Sequence, residues 1–309
     1  MHKNKFFSLT AVLSVLLLLL PGTAAAYESE ALQFTQAQAK QTSITFGFRL
    51  TGGASLLMRN DFNDYLQGEN DSNNDDSFYK VNSEFELMKM GMDVGGEILI
   101  NFMPNLSIGF GAGYLSAEKE TTAQLMFWTV TEDQTYHPKF SAIPITLSIY
   151  YGIPVGSSID VVLNAGLGYY IGIVSFDYSF IDDWGGGSYE YEHSWSAKSN
   201  AFGFHGGIDL EFGIARNLAF IVGAKGRYAK LTDLTADLDW ETFDSYWGYD
   251  SGTEEDMTLW FGQYESSGRE YPVLIFDDRK PTASYLSDVR KAEVNLSGIV
   301  FQAGIKVTF

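Results

Sequence analysis

Apolar residues recur at every second position in eight stretches of this chain. In the last of them Ile299, Phe301, Ala303, Ile305, Val307 and Phe309 alternate with Gly298, Val300, Gln302, Gly304, Lys306 and Thr308. Leu218, Phe220, Val222, Ala224 and Tyr228 alternate with Ala219, Ile221, Gly223, Lys225 and Arg227. Phe202, Phe204, Ile208, Leu210, Phe212 and Ile214 alternate with Gly203, His205, Gly207, Asp209, Glu211 and Gly213. The same pattern runs through 44–50, 94–102, 106–114, 143–151 and 159–173. A period of two belongs to β-strands, whose successive side chains point to opposite faces. One face here carries charges and glycines, the other Phe, Ile, Val, Leu and Tyr. A soluble sandwich turns its charges to water and crowds its apolar faces together. A membrane barrel does the reverse, with the apolar face to lipid and the polar face inward.

The connections alternate too. Strands two and three join through Met103-Pro104-Asn105, four and five through 153–158, six and seven through Ala215-Arg216-Asn217. The other intervals are long: about forty residues after the first strand, then 116–138, 177–198 and 231–292. Tight turns at one end and long loops at the other are the rule for outer-membrane barrels. Within the loops, 121–130 and the pair 175–180 and 189–195 around Gly185-Gly186-Gly187 predict strands that run past the membrane. Residues 257–264 and 271–276 predict a further hairpin, which would raise eight strands to ten.

Composition agrees and excludes. The 309 residues hold 23 Phe, 18 Tyr, 6 Trp and 31 Gly, an aromatic-rich balance that favours strands over helices. The lack of cysteine removes disulfides, Cys-ligated zinc, a thiol nucleophile and a lipidated N-terminal Cys. A net charge of −19 excludes nucleic-acid binding by phosphate neutralisation. At the N-terminus Lys3 and Lys5 precede an apolar run over 6–20, and Ala24 and Ala26 occupy the −3 and −1 positions of a signal-peptide cleavage site. That run is shorter than the ~20 residues a spanning helix needs. The longest later uncharged stretch, 140–159, is broken by Pro144, Gly152, Pro154 and Gly156. The expected organisation is a signal peptide over 1–26, a short periplasmic segment over 27–41 and a barrel domain over 42–309.

The chain ends Gln302-Ala303-Gly304-Ile305-Lys306-Val307-Thr308-Phe309. Gln302, Gly304, Val307 and Phe309 look like the C-terminal β-signal of outer-membrane barrels. With the alternation and loop pattern, the chain resembles the small eight-stranded outer-membrane barrels, the family of the OmpA transmembrane domain and OmpX. The resemblance covers 42–309. It implies an all-β, antiparallel up-and-down transmembrane barrel in the cell outer membrane, porin-like in outline. It also implies a monomer among lipid and lipopolysaccharide, delivered by the barrel-assembly machinery, with no cofactor and no catalytic motif. The last loop, about sixty residues, is larger than the family pattern. No peptidoglycan-binding domain follows, so cell-wall anchoring is not expected.

The parity places Arg49, Asp93, Glu97, Asp209, Glu211, Lys225, Arg227 and Lys306 inside, with Asn101, Asn164, His205 and Gln302. Eight strands enclose about enough room for side chains to fill, and charges there must pair to offset desolvation. The expectation is a salt-bridged plug centred on Asp209 and Glu211 against Lys225 and Arg227. A narrow pore whose pairs part is the alternative.

Enzyme chemistry is not expected. Lipid-modifying barrels need a His and Ser near the rim; His205 is followed by glycines and His193 by Ser194 and Trp195. Asp71-Ser72-Asn73-Asn74-Asp75 has calcium-loop spacing without the Gly and distal Glu that such a loop uses, so no metal is assigned. The four loops carry 31 acids and 9 bases. The last interleaves its acids with Trp240, Phe243, Tyr246, Trp247, Tyr249, Trp260, Phe261 and Tyr264, aromatics that need burial in a folded cap or against an extracellular partner.

Overall fold

The computed structural model describes residues 44–309 except 129, 184–186, 247 and 267. The signal cleavage site at Ala24 and Ala26 and the segment 27–41 lie outside the described residues. The chain forms β1 (Thr45–Leu57), α1 (Asp61–Asp75), β2 (Lys80–Ser83), β3 (Met90–Met103), β4 (Leu106–Glu118), β5 (Thr121–Phe127), β6 (Val130–Pro154) and β7 (Ile159–Asp183). It continues through β8 (Ser188–Ala215), β9 (Leu218–Leu231), β10 (Thr235–Asp244), β11 (Gly248–Ser266), β12 (Arg269–Asp277), β13 (Leu286–Lys291), β14 (Val294–Asn295) and β15 (Gly298–Thr308).

The sheet closes on itself, antiparallel throughout. The ring runs β1–β3–β4–β6–β7–β8–β9–β15 and returns to β1, where Phe48 lies opposite Val307 and Gly52 opposite Ala303. Eight strands undercount the sheet, which has fifteen. The additional strands extend it at the long-loop end. There the upper half of β8 leaves β9 and pairs with β10, and β11, β12 and β13 follow. The hairpin of β11 and β12 thus joins this extension and does not enter the ring. No helix among the described residues is long and apolar enough to cross a membrane.

Three ring strands are twice the length of the others, and each changes character partway. On β8 the outward side chains are Ile214, Leu210, Ile208, Phe204 and Phe202 near the short turns, then Asn200, Lys198, Ser196, Ser194 and Glu192. Its inward side chains change the opposite way, from Glu211, Asp209 and His205 to Ala201, Ala197 and Trp195, all buried. β7 repeats this, with exposed Leu163, Leu167, Ile171 and Ile173 giving way to Ser175 and Asp177 outside while Tyr170, Val174 and Phe176 fill the inside. On β6, Ile149, Leu147, Ile145 and Ile143 outside yield to Ser141 and Lys139, over buried Phe140 and Tyr136. The lower half is apolar outside and polar inside; the upper half has the ordinary order. The apolar stretch of β8, Phe202–Ile214, spans about 40 Å of strand at ~3.3 Å per residue. At the tilt of a closed barrel this gives a belt of roughly 30 Å, the thickness of a bilayer's hydrocarbon.

The upper half is built around α1. Asn60 caps it, its side chain accepting from the Asn63 N–H at 2.9 Å. Asp61 and Asp64 sit in the first turn, where the helix end favours negative charge. Phe62 and Leu66, both 0% exposed, reach into the mouth of the ring, where Phe62 meets Phe140, Trp195 and Phe176 at ring distances of 5.0, 5.6 and 6.1 Å. Asn63 and Asn70, two turns apart, grip the segment before β3 like a strand. Each accepts a backbone N–H and donates to a backbone carbonyl, at Met88 (3.0 and 2.9 Å) and Phe85 (2.8 and 3.0 Å). The Arg290 guanidinium holds Asp61 with two bonds of 2.7 Å. Gly68 lies under Pro272 of β12, whose Cδ would be 2.7 Å from any Cβ there.

The calcium-loop spacing over 71–75 is therefore helical. Asn73 falls on a different face from Asp71 and Asp75, and Asp75 is engaged by Tyr271 and Arg269. In the last loop, Leu259 and Phe261 are buried in the cap, and the Arg290 guanidinium lies 4.6 Å from the Phe261 ring centre.

Candidate functional site: the polar lumen

The lower half of the ring encloses the charged side chains singled out above, each on an inward position. Asp209 on β8 is fully buried and takes three donors: Arg49 Nη2, Asn164 Nδ2 and Gln302 Nε2, each at 2.8 Å. Arg49 Nη1 also approaches Glu211 at 3.6 Å, and Lys306 Nζ donates to Glu211 at 2.6 Å. Asp93 on β3 receives Arg227 and, at 3.7 Å, Lys225. Arg227 further donates to Ser55 Oγ at 3.1 Å and to the Leu296 carbonyl at 2.8 Å. Glu97 is held by hydroxyls instead of a cation: Ser148 at 3.0 Å, Thr146 at 3.4 Å, and Tyr150. Ser148 also meets His205 Nε2 at 3.1 Å.

The lumen holds the expected residues but not the expected pairs. Asp209 and Glu211 bind Arg49 and Lys306, while Lys225 and Arg227 bind Asp93. Register explains the difference. Asp209 lies opposite Gly223 and Glu211 opposite Ile221, whereas Lys225 and Arg227 lie opposite Gly207 and His205. Acids and bases on the two neighbouring strands therefore sit at different levels, with diagonal separations of about 7–8 Å. Across a narrow ring, long side chains reach the far wall more easily. Gly223 makes room for this, since a Cβ there would lie 2.0 Å from Asp209 Oδ1.

The lumen includes small cavities of about 50 and 70 Å³. Tyr150 lines both, packed with Leu99 and Val162 and facing the Arg49 guanidinium 5.1 Å from its ring centre. Arg49 Nη1, which makes no hydrogen bond beyond its 3.6 Å approach to Glu211, and Asn164 Oδ1 border the upper space, which is polar and large enough for a few waters. Of the terminal positions, Gln302 is buried on Asp209, Gly304 lies against the Leu50 carbonyl of β1, and Phe309 is 78% exposed.

Inside the lumen His205 Nε2 meets the Ser148 hydroxyl at 3.1 Å, and that hydroxyl also reaches Glu97 at 3.0 Å. His193 faces inward against Tyr178, with ring centres 4.9 Å apart, and Ser194 points out from the same strand. His137 lies 3.8 Å from Asp177 on the outer wall. No group of three or more His, Cys, Asp or Glu among the described residues is arranged to hold a metal.

Above the lumen, Glu69 on α1 is tucked beside Tyr65, whose hydroxyl meets that of Tyr136 at 3.0 Å. Burial pushes the Glu69 carboxyl up to about 7, partly offset by a hydrogen bond to Tyr65.

No family model matches this chain, and no curated protein matches it. Among solved structures it is similar to the outer membrane protease OmpT from Escherichia coli, at 9% identity and a TM-score of 0.31, over 87% of this chain and 99% of that one.

Proposed function

We propose that this chain is an integral outer-membrane β-barrel with a sealed lumen, whose working part is the folded cap it holds outside the membrane. The observation that carries this is the inversion along β6, β7 and β8. One strand cannot be apolar outside at one end and polar outside at the other in a single solvent. The belt matches hydrocarbon and the upper wall matches water. Closed β-barrels and helices are the structures that satisfy every backbone group in lipid, and here the ring supplies that closure. Its role is structural and surface-presenting, with β15 and its terminal Phe309 as the segment offered to the assembly machinery. Lipid and lipopolysaccharide surround it as a monomer. Conduction would require the Arg49, Asp209, Arg227 and Asp93 pairs to separate, so a narrow channel ranks second.

The belt is tested by Ile208→Arg, mid-belt and 57% exposed. It should cost about 2–4 kcal/mol of stability in lipid and lower the yield of the heat-modifiable folded band. Glu192→Arg, on the same face of β8 above the belt, should leave both unchanged. Equal effects would overturn the membrane assignment.

A further inference from the structure

The inner face of the cap holds a carboxyl group that no cation answers. Glu69 projects from α1 among phenol rings, with Tyr65 on the same helix, Tyr136 on β6 and Tyr178 on β7. The Tyr65 ring meets that of Tyr136 edge-on at 5.7 Å, and Tyr136 lies 4.6 Å from Tyr178. On β8, Tyr191 and His193 continue this wall, 6.1 and 4.9 Å from Tyr178. Tyr65, Glu69, Tyr178, Tyr191 and His193 are only half-buried, so solvent reaches the niche between helix and strands.

The sequence leaves this niche without positive charge. Residues 61–79, 120–138 and 175–197, which build α1 and the upper parts of β5 to β8, contain no lysine or arginine. The titratable groups around Glu69 are Tyr65 of α1, Glu132 and Tyr136 of β6, Tyr178 of β7 and, beyond it, Tyr191 and His193 of β8. Burial lowers His193 to about 4, so it stays neutral and does not supply the missing charge. A second feature points the same way. Gln134, 8% exposed, sits one inward position from Tyr136; its amide N–H donates to Glu132, and its Oε1 accepts nothing. Glu132 and Glu69 both lie within electrostatic reach of the Tyr178 phenol. A buried acceptor without a donor costs stability, and a buried carboxyl without a cation costs more.

We propose that this niche binds an organic ammonium ion, which sets its charge against Glu69 and rests on the ring faces of Tyr136 and Tyr178 near Gln134 Oε1. The inference rests on the cap being the working part of the chain. Aromatic faces attract cations, most strongly where water is excluded, and rings beside a carboxylate are a familiar means of holding quaternary ammonium groups. A metal ion would need several converging ligands, and the described residues bring no such group together. The niche faces the inside of the cap, away from lipid, which selects a soluble amine over a lipid headgroup.

The test uses the full chain folded in octyl glucoside micelles and equilibrium dialysis against radiolabelled choline. At pH 8 choline should bind, and its uncharged carbon isostere dimethylbutanol should not compete. The Glu69 carboxyl, raised from 4.5 to about 7, must lose its proton before it can face the guest. Choline affinity should therefore rise at least tenfold from pH 5.5 to pH 8. Surface carboxylates, ionised throughout that range, would give a level profile. Glu69→Gln should weaken binding at least tenfold at pH 8 and flatten the profile. Tyr178→Leu removes a ring face and keeps the charge; it should weaken binding at least fivefold. Glu192→Gln, on the outward face of β8, should change neither. A level profile, competition by dimethylbutanol, or unchanged binding by the Glu69 and Tyr178 variants would overturn the proposal. A folded, electrically silent barrel that binds no choline would also overturn it while sparing the reading beneath. Steady conductance would strike that reading, while choline binding with the stated pH profile would still support the niche.

Discussion

Arg49 on β1 reaches across the lumen to Asp209 on β8, 2.8 Å from nitrogen to oxygen, with 3% and 0% of the two side chains exposed. The strands are not neighbours in the ring, so this pair ties opposite walls together. Removing one partner leaves the other buried and uncompensated, a loss of about 3–5 kcal/mol. Arg49→Met should therefore lower the barrel's unfolding midpoint in urea far more than the double variant Arg49→Met/Asp209→Leu. Equal midpoints for the two would show that the pair does not brace the ring.

The cap should come apart separately from the ring. Phe62→Ala empties a fully buried site between Phe140, Phe176 and Trp195. Its expected cost, about 3–5 kcal/mol, falls on the seating of α1. Limited proteolysis should then cut within 58–90 while the heat-modifiable barrel band persists. Uncut protein, or loss of the band, would contradict this division.

Glu69 gives the cap a pH dependence. Its carboxyl is raised from 4.5 to about 7 by burial. A carboxyl with a raised pKa in the folded state favours that state while protonated, and the advantage is lost as pH rises through the folded value. Hydrogen exchange within α1, corrected for its intrinsic rate, should thus become faster relative to β1 between pH 5 and 8. Glu69→Gln should abolish the change, and an α1 whose protection rises over that range would contradict the assigned burial.

The ring was legible because its physics is local: alternation at 202–214 or 299–309 needs only neighbours in sequence. The inversion was harder to see because it preserves the period and changes only the phase. On β8 the apolar residues are even-numbered from Phe202 to Ile214 and odd-numbered at Trp195, Ala197 and Ala201. Read alone, the join looks like an irregular loop. Helix α1 was hidden by composition. Four Asn and four Asp in fifteen residues read as a solvated loop, although Phe62 and Leu66 at i and i+4 with the Asn60 cap carry a helix signal. The lumen's members followed from parity, but its partners did not. Which acid meets which base depends on the stagger and diameter of the closed ring, quantities no single strand contains.

A membrane barrel whose lumen is closed by paired charges beneath a folded cap should not conduct ions. Planar-bilayer recording of the refolded, heat-modifiable protein addresses it directly. Silence at ordinary voltages is expected both for the full chain and for Phe62→Ala, because the Arg49–Asp209 and Arg227–Asp93 pairs would close the lumen independently of α1. Steady, discrete openings in the unaltered protein would contradict it and make the lumen a pore.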